Sequence, residues 1–181
     1  IGDDVVIQPG TSCRKCKHCT IGKENFCIEY GILGETNNGT QAEYIVLDPI
    51  NIHTMPNKLS YAEAASMPLV FMTSYQMLIK RANLQPEETV LIYGATSGVG
   101  MAAIQIAKDL GSTIITTVGD NDKKKFAEDL GADFVINHNT CDISKEIKKI
   151  NKNGVDVIFE HIGPITWKDS LKSLAIGGRI V

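Results

Sequence analysis

The chain has 181 residues, 43% of them hydrophobic and 22% charged, with a formal net charge of −3. That length suits one full core, or one domain with part of another, in an ordinary soluble globular protein. The weakly acidic balance argues against a surface that binds nucleic acid by neutralising phosphates, and no apolar run approaches the roughly 20 residues of a membrane span.

Residues 3–8 alternate loosely as a strand. Four cysteines follow, Cys13, Cys16, Cys19 and Cys27, in a C-x2-C-x2-C-x7-C run. One short loop can gather four such sulfurs around a single ion, and a closed tetrathiolate set is the signature of structural zinc, with no position left for water or substrate. Arg14, Lys15, Lys17 and Lys23 lie within and beside the loop, where their charge would offset the net −2 of the centre. Two rivals are weaker. Disulfides suit a secreted chain, and an iron–sulfur run has a short last spacing followed by proline, whereas Ile28 follows Cys27. The fifth cysteine, Cys141, has no neighbour in sequence, which suits a reducing, cytoplasmic compartment. The chain opens on Ile1 without a charged-then-apolar leader, as expected of a fragment or a processed product.

Beyond a flexible stretch at 34–39, residues 42–47 read as a second loose strand. Ser60 and Glu63 have the spacing of a capping box, starting a helix that Pro68 is expected to interrupt; a second helical pattern runs from about 69 to 82. From residue 86 the order becomes regular. Strands at 89–93, 113–118, 134–136 and 155–159 alternate with helices at 99–110, 122–130, 144–150 and 167–174, and a last strand opens at Arg179. Continuous apolar strands alternating with helices indicate an α/β fold, a doubly wound parallel sheet covered on both faces. The lysines at 123–125 and at 145, 148 and 149 read as solvated helix faces.

Between the first of these strands and its helix lies Gly94-Ala95-Thr96-Ser97-Gly98-Val99-Gly100. A glycine-rich strand-to-helix turn lets backbone N–H groups approach a pyrophosphate at the positive helix terminus, and Gly98 and Gly100 are the places where a side chain would obstruct. Tight turns also need glycine without any ligand, and this loop is one residue longer than a strict G-x-G-x-x-G. Its setting among repeated βα units favours the dinucleotide. Glu160 and His161 end a strand at the carboxyl edge of the sheet, where they either line a ligand pocket or form a satisfied pair. His18 is superfluous beside four thiolates, and His53 reads as a surface residue. No serine, histidine and acid grouping suggests a hydrolase.

Taken together, these features resemble the medium-chain dehydrogenase/reductase superfamily of zinc alcohol dehydrogenases and quinone oxidoreductases. The resemblance rests on the cysteine spacing and glycine loop, on Gly2-Asp3-Asp4-Val5-Val6, Gln41-Ala42-Glu43-Tyr44 and Thr73-Ser74-Tyr75, and on Leu130-Gly131-Ala132-Asp133 and Gly177-Gly178-Arg179-Ile180-Val181. It implies part of a GroES-like β-rich domain with a structural Zn2+ lobe at 1–68, then a Rossmann-like dinucleotide-binding domain at 69–181, C-terminally truncated. It also implies hydride transfer between NAD(P)H and a small-molecule carbonyl, alcohol, quinone or enone, in a full-length parent that is a dimer or tetramer. The alcohol dehydrogenases' remaining catalytic cysteine falls at Leu69, which cannot ligate metal. That leans toward quinone or enone reductases working without catalytic zinc, with a zinc-dependent alcohol dehydrogenase and a non-catalytic dinucleotide-binding module as alternatives.

Cofactor choice turns on the end of the second strand of that sheet, where an acid binds the ribose 2′-hydroxyl of NAD and repels the phosphate of NADP. A count of about twenty residues past Gly100 reaches Asp120 and favours NAD. Counting back from Leu130-Gly131-Ala132 puts the acidic position at Val118, which favours NADP, with Lys123 and His138 at positions the family uses near the 2′-phosphate. The expected cofactor contacts are therefore Thr73, the whole loop Gly94, Ala95, Thr96, Ser97, Gly98, Val99 and Gly100, Lys123 and His138.

Overall fold

The computed structural model describes residues 2–181, which pack as two units divided between Leu69 and Val70. The first unit is poor in regular structure. Strand β1 (Val5–Ile7) pairs antiparallel with β4 (Ile52–Thr54), and β2 (Gly10–Thr11) with β3 (Gly31–Ile32). Asn51 ties these pieces together. It is 2% exposed, and its Nδ2 donates to the carbonyls of Gln8 and Gly10 at 2.7 Å each and to Gln8 Oε1 at 2.8 Å. Its Oδ1 accepts from Arg14 at 3.2 Å, so Arg14, the first residue inside the cysteine loop, is anchored to the β1–β4 pair.

The strand expected at 42–47 does not form. No ladder among the described residues runs beside it, and Tyr44 and Val46 are almost fully exposed along a cleft of about 670 Å³. Alternation alone cannot make a strand, because unpaired backbone in an extended segment is as well served by water.

Helix α1 (Tyr61–Tyr75) starts as expected. Glu63 Oε2 accepts from the Ser60 N–H at 2.8 Å and Ser60 Oγ from the Glu63 N–H at 3.3 Å. It then runs through Pro68 instead of stopping there, since the missing proline donor removes one backbone bond from a helix of 15 residues. Directly after it, Gln76–Arg81 form a π-helical turn that carries Leu78 into the core.

The second unit is a five-stranded parallel sheet in the order β7-β6-β5-β8-β9. Its members are β5 (Thr89–Ile92), β6 (Thr113–Val118), β7 (Phe134–Asn137), β8 (Val155–Phe159) and β9 (Leu174–Ile180). Alternate residues feed two cores. Val90, Ile92, Ile114 and Val118 join Ile104 and Ala107 of α2 (Gly98–Leu110) and Ala127 of α3 (Lys124–Leu130). Leu91, Tyr93 and Ile115 face the other way, onto Ile143 and Ile147 of α4 (Ile143–Ile150). The expected sheet, helices and cover on both faces are therefore present.

Two boundaries differ from expectation. Helix α5 spans Pro164–Ser173, three residues earlier than its apolar pattern, because Gly163 and a proline at the first turn open it. Strand β9 begins at Leu174 rather than Arg179 and pairs Val155 with Leu174 but Val157 with Arg179, so a bulge over 175–178 interrupts the register. Gly177, at φ 80°, sits in that bulge beside a fully exposed Ile176. No helix among the described residues is long and apolar enough to cross a membrane.

Candidate functional site

The cysteine loop brings Cys13, Cys16, Cys19 and Cys27 together, with all four sulfurs within 4.8 Å of one another. The Cys16 and Cys19 sulfurs are 3.5 Å apart and those of Cys13 and Cys19 3.9 Å. A tetrahedral ion with metal–sulfur bonds of about 2.3 Å sets its ligands about 3.8 Å apart, whereas a disulfide needs about 2.05 Å. The cluster therefore fits one closed tetrathiolate centre. Backbone N–H groups already point at sulfur, from Cys16 to Cys13 at 3.4 Å and from Cys13 to Cys27 at 3.5 Å, as suits thiolates. Arg14 reaches this geometry at a positive φ of 61°. The Cys27 thiol is pushed up to about 11: the Cys13 N–H favours the thiolate, but burial and the Cys13 and Cys19 thiols outweigh it. A cation among the sulfurs reverses that balance.

The glycine loop leaves the carboxyl end of β5 at the point where the strand order reverses, between β5 and β8. In open α/β sheets that crevice is where ligands bind. Gly94 turns at φ 66°, and its N–H donates to the hydroxyl of Thr117 at 3.0 Å while Ala95 N–H donates to the Thr117 carbonyl at 2.9 Å. Ser97 caps α2, its Oγ accepting from the Gly100 N–H at 3.0 Å and its carbonyl from Met101 at 2.8 Å. At a helix start the first amides have no intrahelical acceptor, so those of Gly98 and Val99 remain to meet an anion.

The glycines prove to be required by the protein itself. A Cβ on Gly100 would lie 2.1 Å from the Gly94 carbonyl oxygen, and one on Gly98 2.9 Å from Val70 Cγ1. Thr73 is exposed on α1, next to a buried Ser74 whose hydroxyl donates to the Val99 carbonyl at 2.9 Å. That bond holds Thr73 beside the loop.

Beyond β6 the chain makes a short turn over Asn121–Lys123. Val118, expected at the acidic position, is 2% exposed with its side chain in the core. The exposed acid there is Asp120, whose Oδ1 accepts from the Asp122 N–H at 3.2 Å. Lys123 is exposed on this turn, and His138 is exposed with its Nε2 3.4 Å from where a Cβ on Gly119 would sit. Asn137 Nδ2 donates to Asn121 Oδ1 at 3.0 Å, which ties the lysine's turn to the histidine's loop.

Glu160 is satisfied within the protein. It accepts from the amides of Ile162 at 2.8 Å and Gly163 at 3.1 Å and from the hydroxyls of Thr166 at 2.9 Å and Ser170 at 2.7 Å. Burial would raise its pKa, but these donors outweigh burial and hold it below the ordinary carboxylate value. Ser170 also meets the Tyr93 hydroxyl at 2.9 Å, and burial pushes that phenol up to about 12. Sequence reasoning missed Thr117, Asn51 and the Tyr93–Ser170 contact, because each acts across a sequence separation of 23 residues or more that no local pattern encodes.

Two family descriptions match the chain, the alcohol dehydrogenase GroES-like domain over residues 1–57 and the zinc-binding dehydrogenase domain over residues 98–181. These domains and the fold place the chain among the zinc-binding dehydrogenases in the broad sense. Human quinone oxidoreductase is 33% identical over 147 residues, covering 81% of this chain and 45% of that protein. An NAD-dependent alcohol dehydrogenase of Saccharolobus solfataricus is 34% identical over 161 residues, 88% of this chain and 46% of that one. The crystal structure of an NAD-dependent alcohol dehydrogenase superposes with a TM-score of 0.96 at 43% identity, covering 99% of this chain and 52% of that one. The chain belongs to the medium-chain dehydrogenase/reductase superfamily and spans about half the length of the relatives it matches.

Proposed function

We propose that the chain contributes the structural-zinc lobe and the dinucleotide-binding sheet of an NAD(P)H-dependent oxidoreductase, which transfers hydride to a quinone or enone without catalytic zinc. The observation that carries this reading is the capped glycine loop at the reversal of strand order. The amides of Gly98 and Val99 and the start of α2 meet the pyrophosphate, Thr117 and Ser97 fix the loop, and Thr73 borders the nicotinamide side. Cys13, Cys16, Cys19 and Cys27 hold one Zn2+ that stiffens the lobe and takes no part in chemistry. Bound NAD(P)H supplies the hydride.

NADPH is the favoured cofactor in this reading. Asp120 spends a carboxylate oxygen on the Asp122 amide, while the exposed Lys123 and His138 flank the same strand end. A second reading, an NAD-dependent alcohol dehydrogenase, is favoured by the 43% identity to a protein of that description and by the exposure of Asp120. Against a catalytic zinc stands Leu69, 57% exposed on α1, a hydrocarbon with no ligand atom.

Fluorescence titration with NADPH and NADH separates the two. NADPH should bind more tightly, and Lys123→Ala should weaken NADPH roughly tenfold, the size of one charge-assisted contact, while leaving NADH nearly unchanged. Tighter NADH binding that Asp120→Ala reverses would overturn the NADPH preference in favour of the second reading.

A further inference from the structure

His161 is an ionisable side chain at the strand-order reversal that the proposed function leaves without a role. It follows Glu160 at the carboxyl end of β8, and its Nε2 lies 3.8 Å from where a Cβ on Gly94 would sit, across the mouth of the glycine loop. Its ring stands edge-on to Phe159, with centroids 5.5 Å apart at 63°. It is exposed, and among the described residues its ring meets Phe159 but no hydrogen bond engages its nitrogens. An unengaged imidazole facing the turn that cradles a pyrophosphate is placed to donate to it.

We propose that His161 is a dinucleotide-binding residue whose protonation is coupled to cofactor binding, so that the protein takes up a proton as the pyrophosphate seats on the glycine loop. This rests on the dinucleotide reading above. The surroundings leave His161 as the group that changes charge near neutrality. Gly94 and Ser97 on the loop and Phe159 on β8 are uncharged, and Tyr93 at the end of β5 stays neutral, with its pKa pushed up to about 12. On α5, Asp169 acts on Tyr93, and Thr166 and Ser170 donate to Glu160. Glu160 remains a carboxylate well into the acid range, so its field on the imidazole is constant across the window of interest.

In the free protein, loss of solvent against neighbouring groups holds the imidazole below its ordinary pKa, against the opposing pull of Glu160. A pyrophosphate beside it favours the imidazolium and raises that value. Binding is then proton-linked between the free and bound values. Affinity is highest below the free value, falls as pH rises through the window, and levels off above the bound value.

The probe is ADP-ribose, which carries the pyrophosphate but neither nicotinamide nor 2′-phosphate, so its charge is constant in this range and His138 has no phosphate to answer. Titration of the full chain should show affinity falling roughly three- to tenfold between about pH 5.5 and about pH 8, tenfold corresponding to a rise of one pKa unit on binding. His161→Gln should flatten that slope. Calorimetry of the unsubstituted protein near pH 6.5, in two buffers of different ionisation enthalpy, should report fractional proton uptake. Binding with no uptake, or a slope that survives in His161→Gln, would overturn the role of His161 and leave the dinucleotide site standing. No binding of ADP-ribose at any pH would overturn both.

Discussion

Thr117 gives the sharpest test of how this fold builds its loop. The residue is 1% exposed on β6, and its hydroxyl accepts the N–H of Gly94 at 3.0 Å, across 23 residues of sequence. Thr117→Val keeps the shape and removes the acceptor, so the Gly94 amide loses its partner where the added methyl fills the space a water would need. Leaving such a donor unpaired costs about 1–3 kcal/mol. For a unit of roughly 110 residues, whose unfolding entropy is about 2.1 cal/mol/K per residue, that lowers Tm by about 4–13 °C. The loss should also reach function, because Gly94 starts the turn on which the amides of Gly98 and Val99 are aimed.

Thermal unfolding together with ADP-ribose titration reads both effects. Thr117→Ser loses only a methyl group and should bind ADP-ribose nearly as well as the original protein, whereas Thr117→Val should bind it several-fold more weakly, as misplaced donors do. A valine variant within about 1 °C of the original Tm would show that the hydroxyl bond carries nothing. A serine variant as weak in binding as the valine variant would show that packing, not the hydrogen bond, positions the loop.

Where the chain writes its structure in local chemistry, the sequence was readable. The runs at 89–93, 113–118, 134–136 and 155–159 are apolar and bounded by Gly or Asp, so β5 to β8 fall within a residue of expectation. Ser60 and Glu63 cap α1 as their spacing requires, and the cysteine spacing alone gathers four sulfurs. What failed depends on partners distant in sequence. Ala42, Tyr44 and Val46 alternate like a strand, yet a strand is made by its neighbour. Residues 175–178 look like loop because their pairing with β8 is broken by a bulge that only the register reveals. Val118 shows the same limit at the site itself, since a count can find the strand end but not which face its side chain takes. Asn51 reaches back 43 residues to Gln8, and Tyr93 meets Ser170 across 77. Neither role has a signature shorter than the fold.

Metal analysis of protein purified under reducing conditions should give about one zinc per chain, the capacity of a closed four-thiolate set. Cys16→Ser should lower that content and loosen the first unit to proteolysis while the sheet of the second unit keeps its Tm; freely alkylated cysteines in the folded, unsubstituted protein would refute the centre. The last prediction concerns acid. Glu160 holds four different donors and titrates below its ordinary value of 4.5, so its contribution to stability is fully present above that value and is lost as pH falls through the depressed one. Glu88 acts in the same direction: its carboxylate is lowered first by the Arg179 guanidinium, which it meets at 2.8 and 2.6 Å. Glu160→Gln keeps the shape but offers one carbonyl acceptor where four donors converge, and its new amide hydrogens face the Ser170 and Thr166 hydroxyls. The variant should be less stable than the original protein at neutral pH, and the gap should shrink progressively below about pH 4.5, where the unfolded chain's carboxylate takes up its proton first, and close once pH falls through the depressed folded-state value. Denaturant unfolding at a series of pH values measures that gap. A difference that stays constant into strong acid would mean that the Glu160 charge contributes nothing, and that the network around Ser170 and Tyr93 stands on packing alone.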